Sequence, residues 1–223
     1  MRLGITVFCL LIALLTSALF LAGSSGTENK MTPASIATPV TLRYEIDAGR
    51  SKFMVHASRG GLAWFKGHDH LIAVRDFSGQ AELTPDLLNP ASLRMTIRAA
   101  SLEETSDVFT PQQKGIIKKE LEDIVLETAK YPEITFRSTE VKGALKNGQF
   151  NVKIGGDITL HGVTKHIVIP ANVSVEGNGF RARGEFDLNR SDFGVKATSA
   201  FHGFVRVKRK LKFIFDIVGR NVA

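Results

Sequence analysis

From Leu42 to Ile217 the chain repeats one kind of patterning: short segments in which apolar and polar residues alternate. In residues 92–99, Leu93, Met95, Ile97 and Ala99 take one side and Ser92, Arg94, Thr96 and Arg98 the other. The side chains of a β-strand point to opposite faces in turn, so each segment is a ribbon with one dry and one wet face. Many such ribbons with one clear helix predict an all-β chain whose antiparallel sheet closes, or nearly closes, around an apolar interior. That reads as a container for an apolar molecule rather than as an enzyme. The aromatic residues agree: 15 are Phe, against two Tyr and one Trp. Phe carries no polar tip that must be satisfied and suits a dry interior.

Ahead of the alternating region, Arg2 precedes an uncharged apolar stretch from Leu3 to Ala22, followed by the small residues Gly23 and Ser24. This predicts a signal peptide over residues 1–24, or an uncleaved membrane anchor, since 20 apolar residues are just enough to cross a bilayer. Membrane association through residues 3–22 belongs to the second case. The only cysteine, Cys9, lies inside the stretch, so a cleaved chain has no thiol and no disulfide. Residues 25–39, rich in Ser, Thr, Ala and Pro, read as a flexible spacer, and residues 40–219 as one domain. The formal charge is +7. No helix-turn-helix, zinc-finger or RNP-type aromatic signature accompanies it, which argues against nucleic acid. A basic, solvated outer surface or an anionic lipid partner remains.

Within the domain, Leu42, Tyr44 and Ile46, then Phe53, Val55 and Ala57, are expected to face inward. Residues 111–130 change period: Ile117, Leu121, Ile124 and Val125 recur at helical spacing, Pro111 suits a first turn, and Tyr131-Pro132 ends the helix. This helix should cap one barrel mouth or pack on the flank. Asn147-Gly148 and Asn178-Gly179 are hairpin signals.

Two charges break the inward parity. Arg75 falls between Ala73 and Phe77, and Arg209 between Val207 and Leu211. An unpaired buried charge costs several kcal/mol. Either a bulge shifts the register there, or the arginines form a cationic site for a phosphate or polar headgroup at the cavity mouth. On a strand, His68 and His70 of His68-Asp69-His70 share a face and both could reach one metal, but two ligands are an incomplete set. Glu103 and Glu104 are expected to be solvated. No nucleophile elbow, Walker loop or dinucleotide fingerprint is present, so no catalytic residue is assigned.

The chain also resembles the YceI family of exported bacterial proteins described as polyisoprenoid-binding. The likeness is carried by Tyr44, Asp47 and Ser51; Phe77-Ser78-Gly79; Tyr131-Pro132-Glu133-Ile134-Thr135-Phe136; Leu160-His161-Gly162-Val163-Thr164-Lys165; and Arg190-Ser191-Asp192-Phe193-Gly194. Each piece is short, but their order and spacing agree over residues 40–219. The resemblance implies a lipocalin-like antiparallel barrel of about eight strands with an apolar tunnel, an isoprenoid or quinone-type lipid as ligand, and a periplasmic location. It brings no catalytic set.

The combined expectation is a periplasmic binding module, without a cofactor, that carries or stores an isoprenoid lipid. Its wall would be Phe53, Val55, Trp64, Leu93, Met95, Ile97, Phe136, Ile154, Ile158, Phe186, Phe213 and Phe215, with Arg75 or Arg209 at the headgroup. The alternatives are a metal-dependent protein built on His68 and His70, and a stress-response envelope barrel filled by its own side chains.

Overall fold

The computed structural model describes residues 40–84, 87–196, 199–200 and 205–222. The expected signal or anchor and the spacer lie outside the described residues. In chain order the elements are β1 (Leu42–Ile46), β2 (Lys52–Ala57), β3 (Arg59–Gly60), β4 (His70–Val74), β5 (Phe77–Thr84), β6 (Leu87–Arg98) and β7 (Leu102–Glu104). Helix α1 (Pro111–Glu120) follows, then β8 (Glu133–Lys146), β9 (Gln149–Leu160), β10 (Val163–Glu176) and β11 (Gly179–Asn189). The last are β12 (Ser199–Ala200), β13 (Val205–Val207) and β14 (Lys210–Asn221).

Register joins these strands into eight staves. β1 and β2 lie end to end along β14. β5 pairs with β1 while β4 pairs with β2, and β6 pairs with β5 while β7 pairs with β4. From β6 the ring continues through β8, β9, β10 and β11 to β14, antiparallel throughout. It closes where β14 meets the first stave, at Tyr44↔Asn221 and Phe53↔Phe215. Neighbours in sequence are neighbours in the ring, which defines an up-and-down barrel. The expected eight-stranded antiparallel barrel with one inserted helix is what the chain forms.

The first three staves break at neighbouring levels, at Ala48–Arg50, at Arg75-Asp76 and at Ala99–Ser101. Asp47 caps the first break by accepting from the backbone N–H of Arg50 at 3.2 Å. The other two answer each other: Arg75 N–H donates to Ser101 O (3.3 Å) and Arg98 N–H to Asp76 O (3.0 Å). Such breaks change which side chains face in, as a bulge does. On the second stave Ile72 and Val74 are buried, then Phe77, Ala81 and Leu83, so the two intervening residues turn Arg75 outward.

The barrel ends differ. One carries tight turns at Asn147-Gly148 and Gly177-Asn178, with Asn147, Gly148 and Gly177 at positive φ. The second turn lies one residue before the expected Asn178-Gly179, because Gly177 takes the left-handed position. The other end carries the long connections, residues 58–69, 105–132 and 190–209. In the second of these, Thr110 and Gln113 form a capping box that starts α1. The helix stops short of the expected residue 130. It finishes in one π-turn, Leu121–Val125, whose wider winding turns Ile124 outward (50% exposed) and brings Leu126 into the core.

Candidate functional site

The inward faces of the staves do not meet across the barrel. Toward the helix end they leave a cavity of about 160 Å³, walled by Val55, Ala57, Ile72, Leu160 and Leu211 and roofed by Ile117, Leu121, Val125 and Leu126. Deeper lies a second cavity of about 80 Å³, among Leu93, Met95, Ile154, Phe180, Ala182 and Phe215. Phe53, Ile97, Ile134, Ile158 and Phe186 line both. Phenyl rings line the wall where the two adjoin: Phe186 stacks on Phe213 of the neighbouring strand at 5.0 Å, and Phe53 meets the edge of Phe77 at 6.3 Å. Phe180, which lines the deeper space, packs edge-on at 5.4 Å against Tyr44, 1% exposed.

These chambers are large enough for water, which needs only about 10–15 Å³, but water also needs two to four polar partners. The deep chamber offers one polar side chain, Thr135. Such a space favours hydrocarbon.

Polar residues gather at the helix end, where His70, Glu120, Arg190 and Lys196 line the larger chamber. His70 Nδ1 lies 2.8 Å from Glu104 Oε2, and the Glu104 side chain has no exposed surface. Glu104 also accepts from the backbone N–H groups of Leu71 (3.1 Å) and Ser106 (2.8 Å). Burial pushes its pKa up, but the hydrogen bonds from His70, Ser106 and Leu71 outweigh this, so it sits below the usual carboxylate range. The carboxylate thus stays ionised and ties β4 to β7. The Arg190 guanidinium is committed to the rim: Nη1 donates to Val195 O at 2.9 Å, and Nε and Nη2 reach Lys208 O and Val207 O at 3.4 Å. Burial first, then the neighbouring Arg209, lower its pKa. The helical roof is fastened by Lys118 Nζ, which donates to Ala100 O and, at 3.0 Å, to Leu102 O. His161 Nε2 holds its far end through Glu127 Oε2 at 2.6 Å.

Eleven of the twelve expected wall residues line a chamber: Phe53, Val55, Leu93, Met95, Ile97, Phe136, Ile154, Ile158, Phe186, Phe213 and Phe215. Trp64 does not. It sits in a 3-10 turn on the loop between β3 and β4, 54% exposed. Neither arginine faces the lumen. Arg75 Nε pairs with Glu103 on the outer surface at 3.1 Å, and Arg209 is exposed at the bend before β14. Of the two readings of these arginines, the break that shifts the register is the one found, at Arg75-Asp76 on the second stave and at the bend before β14 for Arg209. His68 and His70 flank one ring, Phe109, with His70 stacked at 5.1 Å and His68 edge-on at 5.6 Å. Asp69 instead braces its own loop through the N–H of Arg59 (2.9 Å) and His56 Nε2 (3.2 Å). Among the described residues no group of three or more His, Cys, Asp or Glu is placed to hold a metal.

Glu104 was missed: it was expected to be solvated, yet only Glu103 faces out. The signal was available, because adjacent residues on a strand take opposite faces and Leu102-Glu103-Glu104 is a short strand.

The geometry defines a class: a closed antiparallel barrel of the lipocalin-like kind, with a dry lumen and polar groups at one end. The model of the YceI-like domain matches residues 44–219, and the chain belongs to that family. Protein YceI of Escherichia coli O6:H1 is 32% identical over 174 residues, covering 73% of this chain and 81% of that protein. A UPF0312 protein of Pseudomonas savastanoi is 42% identical over 102 residues, covering 42% of this chain and half of the relative's length. Among solved structures, Burkholderia cenocepacia BcnA superposes with a TM-score of 0.61 at 20% identity, covering 78% of this chain and 98% of that one. A polyisoprenoid binding domain from Saccharophagus degradans gives 0.57 at 15% identity, covering 81% and 99%. At these identities the structural likeness speaks to the fold.

Proposed function

We propose that the barrel holds the hydrocarbon tail of a long isoprenoid lipid, of polyprenyl or quinone type, and carries or stores it as a binding module rather than an enzyme. The observation that carries this reading is the two-chambered apolar lumen with its polar residues gathered at one end. Burying an alkyl chain gains about 0.8 kcal/mol per methylene, so a few isoprene units supply useful affinity without any strong polar contact. His70 and Lys196, at the rim of the larger chamber, would meet the headgroup in place of Arg75 and Arg209. The description of the Saccharophagus relative as a polyisoprenoid binding domain supports the ligand class. A periplasmic setting rests on the apolar stretch Leu3–Ala22 and its resemblance to an export signal.

Organic extraction of the purified protein followed by mass spectrometry tests the proposal. The expected result is a stoichiometric isoprenoid, or uptake of a quinone or prenyl phosphate by the emptied protein. A lipid-free protein that takes up neither overturns it.

A further inference from the structure

The loop between β3 and β4 leaves three large apolar side chains in solvent: Leu62 is 83% exposed, Phe65 65% and Trp64 54%. Trp64 and Phe65 meet edge-on at 6.4 Å, and the Arg59 guanidinium lies 5.5 Å from the Trp64 ring centre. Exposed apolar residues scattered singly need no explanation, but three within four positions at one loop tip form a patch.

Cations surround this patch. β3 pairs with β13, opposing Gly60 to Arg206, and the Lys208 side chain packs over Gly60. The segment 205–212 carries five cations, and residues 58–68 carry Arg59 and Lys66. Arg59 pairs with Asp69, Lys210 with Asp187 and Lys212 with Glu185, so Lys208 and Arg209 stand at the front of the collar. Lys208 and Arg209 are exposed. Ala57 and His70, which flank the loop, and Val207, beside Lys208, line the larger chamber. The apolar tip and its basic collar therefore stand beside the polar end of the lumen. This end lies opposite the one where β1 begins.

We propose that the Arg59–Lys66 loop docks the helix end of the barrel onto an anionic lipid bilayer, with Leu62, Trp64 and Phe65 entering the interface and the basic collar resting on the headgroups. Trp and Phe beside Lys and Arg suit that boundary, because the rings bury apolar area while the cations stay at the charged surface. A soluble protein partner would need a matching acidic groove; a bilayer presents charge and hydrocarbon together over any area. The inference goes beyond the lumen reading. It rests on that reading only for what passes between bilayer and barrel.

Trp64 is the only tryptophan in the chain, so its fluorescence reports this loop alone. The full-length protein is mixed with vesicles of phosphatidylglycerol and phosphatidylcholine, or of phosphatidylcholine only. Because the signal is local to Trp64, attachment through residues 3–22 does not mimic it. Anionic vesicles should shift the emission to the blue, brominated acyl chains should quench it, and added salt should weaken both. Leu62→Ser/Phe65→Ser, which keeps the probe, should weaken the Trp64 response by about a hundredfold in lipid concentration, from the lost apolar burial. Lys208→Glu/Arg209→Glu should abolish the preference for anionic lipid. An unchanged Trp64 spectrum overturns the proposal, as does an equal shift with neutral vesicles. A shift that grows with protein concentration without vesicles assigns the patch to contact between copies, and also overturns it. Uptake of prenyl phosphate from detergent should be unchanged in both variants, so failure of docking and failure of lumen binding are read separately.

Discussion

Ala182 gives a direct handle on the lumen. It lies on β11, is 9% exposed, and lines the deep chamber of about 80 Å³ with Phe180, Phe186 and Ile217. In Ala182→Phe the new ring enters space that is already empty, so the overpacking cost of a small-to-large change should be slight. What the ring removes is room for ligand. If it displaces one isoprene unit, about five carbons at about 0.8 kcal/mol each, long chains lose about 4 kcal/mol, roughly a thousandfold in Kd. A chain too short to reach the deep chamber loses nothing. Competition of prenyl phosphates of increasing length against a fluorescent lipid should show the variant's affinity levelling off at a shorter chain than wild type. Thermal unfolding should move by only a few degrees, as about 1 kcal/mol shifts a domain of this size by 2–4 °C. Unchanged affinity for the longest chains would refute the reasoning. So would an equal loss for the shortest ones, which would signal damage to the barrel instead of a blocked chamber.

Glu104→Ala should cost about 2–3 kcal/mol in urea unfolding, because the backbone N–H groups of Leu71 and Ser106 and the His70 ring lose the buried carboxylate that joins them. Asp216, held at a pKa of about 2 by hydrogen bonds from Arg181 and Arg183, has a folded pKa below its unfolded one. Its contribution is therefore complete above the usual carboxylate range and lost as pH falls through about 2. Because the arginine partners are exposed, solvent screens the pairs, and Asp216→Asn should destabilise by about 1 kcal/mol near neutrality. The gap from wild type should shrink on acidification in urea melts run at successive pH values. Gly156→Ala should destabilise by about 2–3 kcal/mol, since the added methyl would lie 2.6 Å from the tip of the Phe136 ring and against the backbone of Arg137 and Ser138. Calorimetry at neutral pH reads that loss directly.

The barrel was legible because its staves are dry on one side only, so alternation reports both strand and facing. That is why eleven wall residues, from Phe53 to Phe215, could be named without a structure. Trp64 was assigned to the wall on its apolar character. It instead occupies a loop tip, where no alternation exists to say which way a side chain points. At Arg75 the broken parity signalled either a register shift or a cationic site, and the hydrogen bonds from Arg75 and Arg98 decide for the shift. Those bonds join positions over twenty residues apart, so the local sequence could not choose between the two. Ile124 was read inward on a 3.6-residue period that the π-turn does not keep. The polar rim was not legible at all, since Arg190 and Lys196 join His70 and Glu120 around one chamber only once three separate connections converge on one barrel end.

Methyl NMR of isoleucine-labelled protein during titration with a prenyl phosphate addresses the lumen itself. Ile97 and Ile158 line both chambers, whereas Ile116 and Ile214 are 61% and 42% exposed. A lipid in the lumen shifts Ile97 and Ile158, with cross-peaks to the prenyl methyls, while Ile116 and Ile214 stay unmoved. Contacts confined to Ile116 and Ile214, or a lumen whose methyls ignore saturating lipid, would contradict it.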